Sequence, residues 1–129
     1  MQPRSPRRLC AALAACVLLL LAAAAAQAQI NPFRGNRQGP SLSPEDDRLL
    51  FESVGRLNAA EPARVGLSEG WSNPQTNSSG TSTMLRVFRS GGMSCHLVRH
   101  HVVAAGQPPG RDYRLTWCRT QAGEWKIKS

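Results

Sequence analysis

Apolar residues along the chain follow three successive rhythms, and each predicts a different kind of structure. From Leu9 to Ala26 they are nearly unbroken; around Leu49, Leu50, Val54 and Leu57 they return at helical steps; beyond Pro62 they alternate with polar residues in short runs. The first run follows Arg4, Arg7 and Arg8 and closes on Ala26-Gln27-Ala28. That charged, apolar, small-residue order predicts a secretory signal peptide over residues 1–28, cleaved between Ala28 and Gln29. A run this long also meets the lower limit for a membrane-spanning helix, but the alanine-rich end and the A-x-A site favour cleavage. Leu13-Ala14-Ala15-Cys16 resembles a lipoprotein box, yet an apolar core rather than a polar tether follows Cys16. Arg7-Arg8 lacks the residues that would complete a twin-arginine signal. Attachment to a membrane is therefore expected only through an uncleaved or lipidated leader.

Residues 29–42 are rich in Asn, Gly, Pro, Gln and Arg and offer only Ile30, Phe33 and Leu42 for burial, which predicts a flexible lead. At Ser43-Pro44-Glu45-Asp46 a helix begins: a serine cap, proline in the first turn, and acids beside the positive end of the helix dipole. Leu49, Leu50, Val54 and Leu57, widened by Phe51, carry it to about Asn58. The alternating segments predict strands near 64–71, 81–89, 93–103, 111–120 and 124–128, separated by Gly-, Pro- and Ser-bearing turns. Short links between the strands favour an antiparallel meander. The expected fold class is thus α+β, one N-terminal amphipathic helix packed on a small antiparallel sheet of four to five strands. Residues 43–129 would form this single domain.

Removal of the leader would leave 101 of the 129 residues, enough for one modest domain. It would also remove three of the 16 Lys and Arg but none of the eight acids, leaving a net charge of +5 that is nearly all arginine. Guanidinium groups suit phosphate and carboxylate partners, so an anionic envelope component is compatible with this excess, as is plain solubility. Basic residues near Phe88, Trp117 and Trp125 resemble a stacking surface for single strands. Aromatics at strand spacing are more often core, and no nucleic-acid partner is expected.

Of four cysteines, Cys10 and Cys16 would leave with the leader, and Cys95 and Cys118 would remain. In an exported domain the remaining pair reads as a structural disulfide. Its geometry agrees with the strand reading, because the midpoint of the two positions falls at the centre of the loop Ala104–Gly110. The thiols would then lie opposite one another, at a spacing a disulfide tolerates. The same register opposes Val98 to Leu115, His96 to Trp117, His100 to Tyr113 and Arg99 to Arg114, with the aromatic side as core and the arginine side as solvent face. Directly opposed arginines repel, which leaves a register shifted by one residue as the alternative.

Candidate chemistry is sparse. Gly66-Leu67-Ser68-Glu69-Gly70 matches a nucleophile elbow in its residues but not in its setting: no helix follows, and His96, His100 and His101 all precede Asp112. Cys95, His96, His100, His101 and Cys118 are zinc-ligand types, yet His100 and His101 would point to opposite faces of a strand, as would Cys95 and His96. Asn77-Ser78-Ser79 is a glycosylation sequon, meaningful only in a eukaryotic secretory pathway. No catalytic residue, metal ligand or cofactor is expected. A small exported enzyme or zinc-binding protein using Ser68 or His96, His100 and His101 is the alternative, and an arginine-rich adaptor or inhibitor is a second.

Leu42-Ser43-Pro44-Glu45-Asp46 ahead of a helix, Trp71-Ser72-Asn73-Pro74, Ser79-Gly80, Cys95, Cys118-Arg119 and Gly123-Glu124-Trp125-Lys126-Ile127 form an ordered series. Together they resemble the bacterial outer-membrane surface-antigen domain of the seventeen-kilodalton antigen type, over about Leu42 to Lys128. The resemblance implies an envelope-associated, antigenic protein in the periplasm or outer membrane, with no catalytic residues to carry over. The glycine-repeat stretch common in that type has no counterpart here.

Overall fold

The computed structural model describes residues 31–34 and 41–128. The leader, its cleavage site at Ala28 and Gln29, and Cys10 and Cys16 lie outside the described residues. All the elements that follow belong to one unit, Phe33–Ser129, apart from the first residue of a 3-10 turn at Pro32–Arg34. Helix α1 spans Pro44–Ala59, and strands β1 (Ser68–Asn73), β2 (Ser78–Ser90), β3 (Met93–Val103), β4 (Arg111–Arg119) and β5 (Trp125–Ile127) follow it. They form one antiparallel sheet in the order β1-β2-β3-β4-β5. This is the meander expected from the short links.

Helix α1 starts where the capping residues place it. The Asp46 amide donates to Ser43 Oγ at 3.1 Å, and the Ser43 amide donates back to Asp46 Oδ2 at 2.9 Å, which satisfies two otherwise orphaned donors. Leu50, Val54 and Leu57 form its buried stripe, each contributing about 1.5–3 kcal/mol on burial. They meet Trp71, Met84, Val98, Val102 and Trp117 on one face of the sheet. The other edge of the helix stays in solvent, where Arg48 pairs with Glu45 and Glu52.

Asp46 does more than cap. Its Oδ1 accepts from Asn73 Nδ2 and from Thr76 Oγ1, both at 2.7 Å, tying the start of α1 to the β1–β2 turn. The carboxylate is 1% exposed. Burial alone would raise its pKa, but hydrogen bonds from the Ser43 backbone, Thr76, Asn73 and the Ser43 hydroxyl outweigh it and hold the pKa below the ordinary value. Asn73 Oδ1 meanwhile accepts from the Gln75 amide, shaping the turn.

Strand β1 runs from Ser68 to Asn73 rather than from about 64 to 71. Gly66 sits at φ +91, which no strand accommodates, and the anchoring of Asn73 by Asp46 prolongs the strand to the residue before Pro74. Opposite Trp71 stands Gly80. A methyl group there would lie 2.6 Å from Trp71 Nε1 and 2.6 Å from the His101 carbonyl oxygen, so only glycine lets the indole cross the strand.

The β2–β3 link is a two-residue turn, with Gly91 at φ +55 and Gly92 at φ +78, the arrangement that matches strand twist. The β3–β4 register is as expected: Cys95 opposes Cys118, His96 opposes Trp117, Val98 opposes Leu115, Arg99 opposes Arg114 and His100 opposes Tyr113. Cys95 and Cys118 are bonded to each other. Within β2 the register shifts between Met84 and Arg86, so Leu85 is an extra residue in a bulge.

Within the stretch 29–42, whose composition predicts a flexible lead, the described residue Phe33 is buried. Its ring meets Phe51, His100 and Tyr113 edge-on at 5.8, 5.3 and 5.1 Å. Three aromatic partners supplied by α1, β3 and β4 compensate for the polar composition around it.

Candidate functional site

The two faces of the sheet have opposite characters. Toward α1 point Trp71, Gly80, Ser82, Met84, His96, Val98, His100, Val102 and Trp117, most of them buried. The outer face carries no covering element among the described residues. Its rows are Gly70–Thr81–His101–Asp112, Ser68–Thr83–Arg99–Arg114, and Arg86–Leu97–Thr116, with the disulfide beside Phe88 at the far end. The bulge at Leu85 decides this last part. Even-numbered residues of β2 face α1 up to Met84, and the extra residue switches the alternation so that Arg86 and Phe88 emerge on the outer side.

Arg86, Arg99 and Arg114 are exposed there. The Cys95–Cys118 Cα separation of 4.1 Å marks a narrow strand pair, and narrow pairs alternate with wide ones along an antiparallel ladder. Arg99 and Arg114 therefore also form a narrow pair, with their side chains leaving the sheet close together. Two like charges so placed cost about 0.2–1 kcal/mol. The Arg86 guanidinium sits over the Phe88 ring, 5.0 Å from its centre. Among the described residues no acid forms an ion pair with these three arginines; Asp112, the acid in these rows, is bonded instead to His101 Nδ1 at 2.7 Å.

The candidate chemical residues are spread apart. Ser68 Oγ shares a hydrogen bond with Thr83 Oγ1 at 2.9 Å, and no histidine contacts it. Cys95 and Cys118 are consumed by the disulfide. His101 lies on the outer face, whereas His96 and His100 lie beneath the sheet. Among the described residues no three His, Cys, Asp or Glu side chains gather as a metal site.

His100 is 1% exposed. Indole N–H can only donate, so the 3.2 Å bond from Trp117 Nε1 makes His100 Nε2 the acceptor. Nδ1 then carries the proton and donates to Ser82 Oγ at 2.7 Å. Burial pushes the His100 pKa down to about 4. His96 stacks on Trp125 with ring centres 4.3 Å apart and bonds to Asn58 Oδ1 at 2.9 Å. Its pKa is also lowered by burial, with Glu61 pulling weakly the other way.

Stability must therefore depend on pH in a defined direction. The unfolded chain takes up protons on these histidines near pH 6.5, whereas the folded chain resists, so stability is full above that value and falls as the pH drops toward 4. His100 alone should cost about 2 kcal/mol between pH 7 and pH 5. Urea unfolding at the two pH values checks this, and His100→Gln should flatten the dependence. An unchanged difference in the variant would show that His100 is not its source.

No protein-family model, curated protein or solved structure matches the chain.

Proposed function

We propose that the chain is an exported cell-envelope protein, surface-antigen-like and periplasmic or outer-membrane-associated, whose small domain has a non-enzymatic binding task. The outer face of the sheet meets an anionic envelope component. The observation that carries this reading is the opposed pair Arg99 and Arg114, two guanidiniums that have no ion-pair partner and no covering element among the described residues and are kept side by side at a cost to stability. Placements that oppose folding are expected where binding requires them. Arg86 adds a third cation to the same face. The leader-like order of residues 1–28 and the disulfide support export, and no described helix is long and apolar enough to cross a membrane.

Co-sedimentation of the purified protein with envelope membranes, at about 20 mM and about 500 mM salt, tests the reading. Binding should weaken at high salt, and Arg99→Glu with Arg114→Glu should reduce affinity by at least about tenfold, or about 1.4 kcal/mol. Binding that ignores both changes would refute an arginine-driven interface.

A further inference from the structure

The arginines occupy only half of the outer face. Beside them, over β1 and β2, lies a shallow, open depression lined by Gly70, Ser72, Ser79, Gly80, Thr81 and His101. Gly70 leaves the sheet bare on this side, and the Trp71 ring that crosses Gly80 belongs to the opposite face. Among the described residues the hydroxyls of Ser72, Ser79 and Thr81 have no hydrogen-bond partner, in contrast to Ser68 and Thr83, which satisfy each other. At the rim, Asp112 accepts from His101 Nδ1, which orients the ring.

The two halves are contiguous. The row Thr81–His101–Asp112 and the row Thr83–Arg99–Arg114 are adjacent on this face, two residues or about 7 Å apart along the strands. A ligand that spans them meets unengaged hydroxyls and an imidazole on one side and guanidinium forks on the other.

We infer that this face binds a phosphorylated saccharide, with sugar hydroxyls over the depression and phosphate on Arg99 and Arg114. The inference rests on the proposed function and names the class of anion. Hydroxyls both donate and accept, which matches the alternating donors and acceptors of a sugar ring. Guanidinium forks match phosphate oxygens in pairs. The open shape admits an extended chain rather than an enclosed small molecule.

The test is an NMR titration of the isotope-labelled, oxidised protein with a glucosamine disaccharide bisphosphate, the same disaccharide without phosphate, and pyrophosphate. The bisphosphate should shift the resonances of Ser72, Thr81 and His101 together with those of Arg99 and Arg114. Arg114→Gln should weaken it by about tenfold or more. Thr81→Ala should weaken the bisphosphate by about threefold and leave pyrophosphate unchanged, a split that general damage to the fold would not produce. Equal affinity for pyrophosphate, with shifts confined to the arginines, would overturn the saccharide while leaving an anion-binding face intact. No response to any probe, with envelope co-sedimentation preserved, would overturn the inference alone; loss of both would take the proposed function with it. The bisphosphate carried on acyl chains in vesicles distinguishes the sources: comparable binding of free and lipid-linked forms supports head-group recognition, and binding in vesicles alone overturns it.

Discussion

Opening the Cys95–Cys118 bridge should lower the thermal midpoint by about 12–24 °C. The two cysteines are 23 positions apart in sequence, and in the chain-entropy model closing a loop of that length contributes about 3 kcal/mol. For a domain of this size each kcal/mol moves the midpoint by about 4–8 °C. Both residues are almost fully buried although they belong to the outer face, so reduction also loosens the packing of that end of the sheet. Calorimetry with and without reductant reads the effect. A Cys95→Ala and Cys118→Ala double variant separates loss of the cross-link from exposure of free thiols. An unshifted midpoint in both would mean that the β3–β4 hairpin holds its register without the covalent link.

Asp46→Ala is expected to cost about 3 kcal/mol in urea unfolding, close to the upper range for a single polar side chain. The substitution leaves Asn73 Nδ2, Thr76 Oγ1 and the Ser43 amide without their acceptor. Asn73→Ala removes one of these donors and should cost about half as much. A loss below about 1 kcal/mol for Asp46→Ala would mean that water replaces the carboxylate at little cost. The contribution of Asp46 also has a pH signature. Its folded pKa is depressed, so its stabilisation is present above the unfolded value of about 3.9 and is lost as the pH falls below it. Acid unfolding should thus proceed in two stages, the histidines first and Asp46 afterwards.

The parts of this fold legible in the sequence are those governed by local rules or by a covalent marker. Ser43-Pro44-Glu45-Asp46 and the spacing of Leu50, Val54 and Leu57 place α1 almost to the residue, because capping and amphipathic spacing are read within one helix. The β3–β4 pairing was legible to the residue because two cysteines and a turn share one centre. The repulsion of Arg99 and Arg114 argued for a shifted register, and packing together with the disulfide overrides it. What could not be read is non-local. Asp46 looked like a surface acid at a helix start; its burial depends on Asn73 and Thr76, some thirty residues away. Phe33 lay in a polar stretch and is held by side chains of three later elements. Of the basic face, Arg99 and Arg114 were visible on the outer side, but Arg86 was not, because strict alternation along β2 assigns it to the core. The one local sign was the consecutive apolar pair Met84-Leu85, where an alternating strand has a polar residue.

That extra residue gives the gene an unusual point of tolerance. Loss of the single codon for Leu85 would change no charge and remove no core side chain identified above. Arg86 would then follow Met84 directly and still oppose Leu97, so the strand would alternate regularly, with Arg86 and Phe88 outward and Val87 inward. Natural variants of this domain should therefore differ freely in the identity of residue 85 and also in its presence.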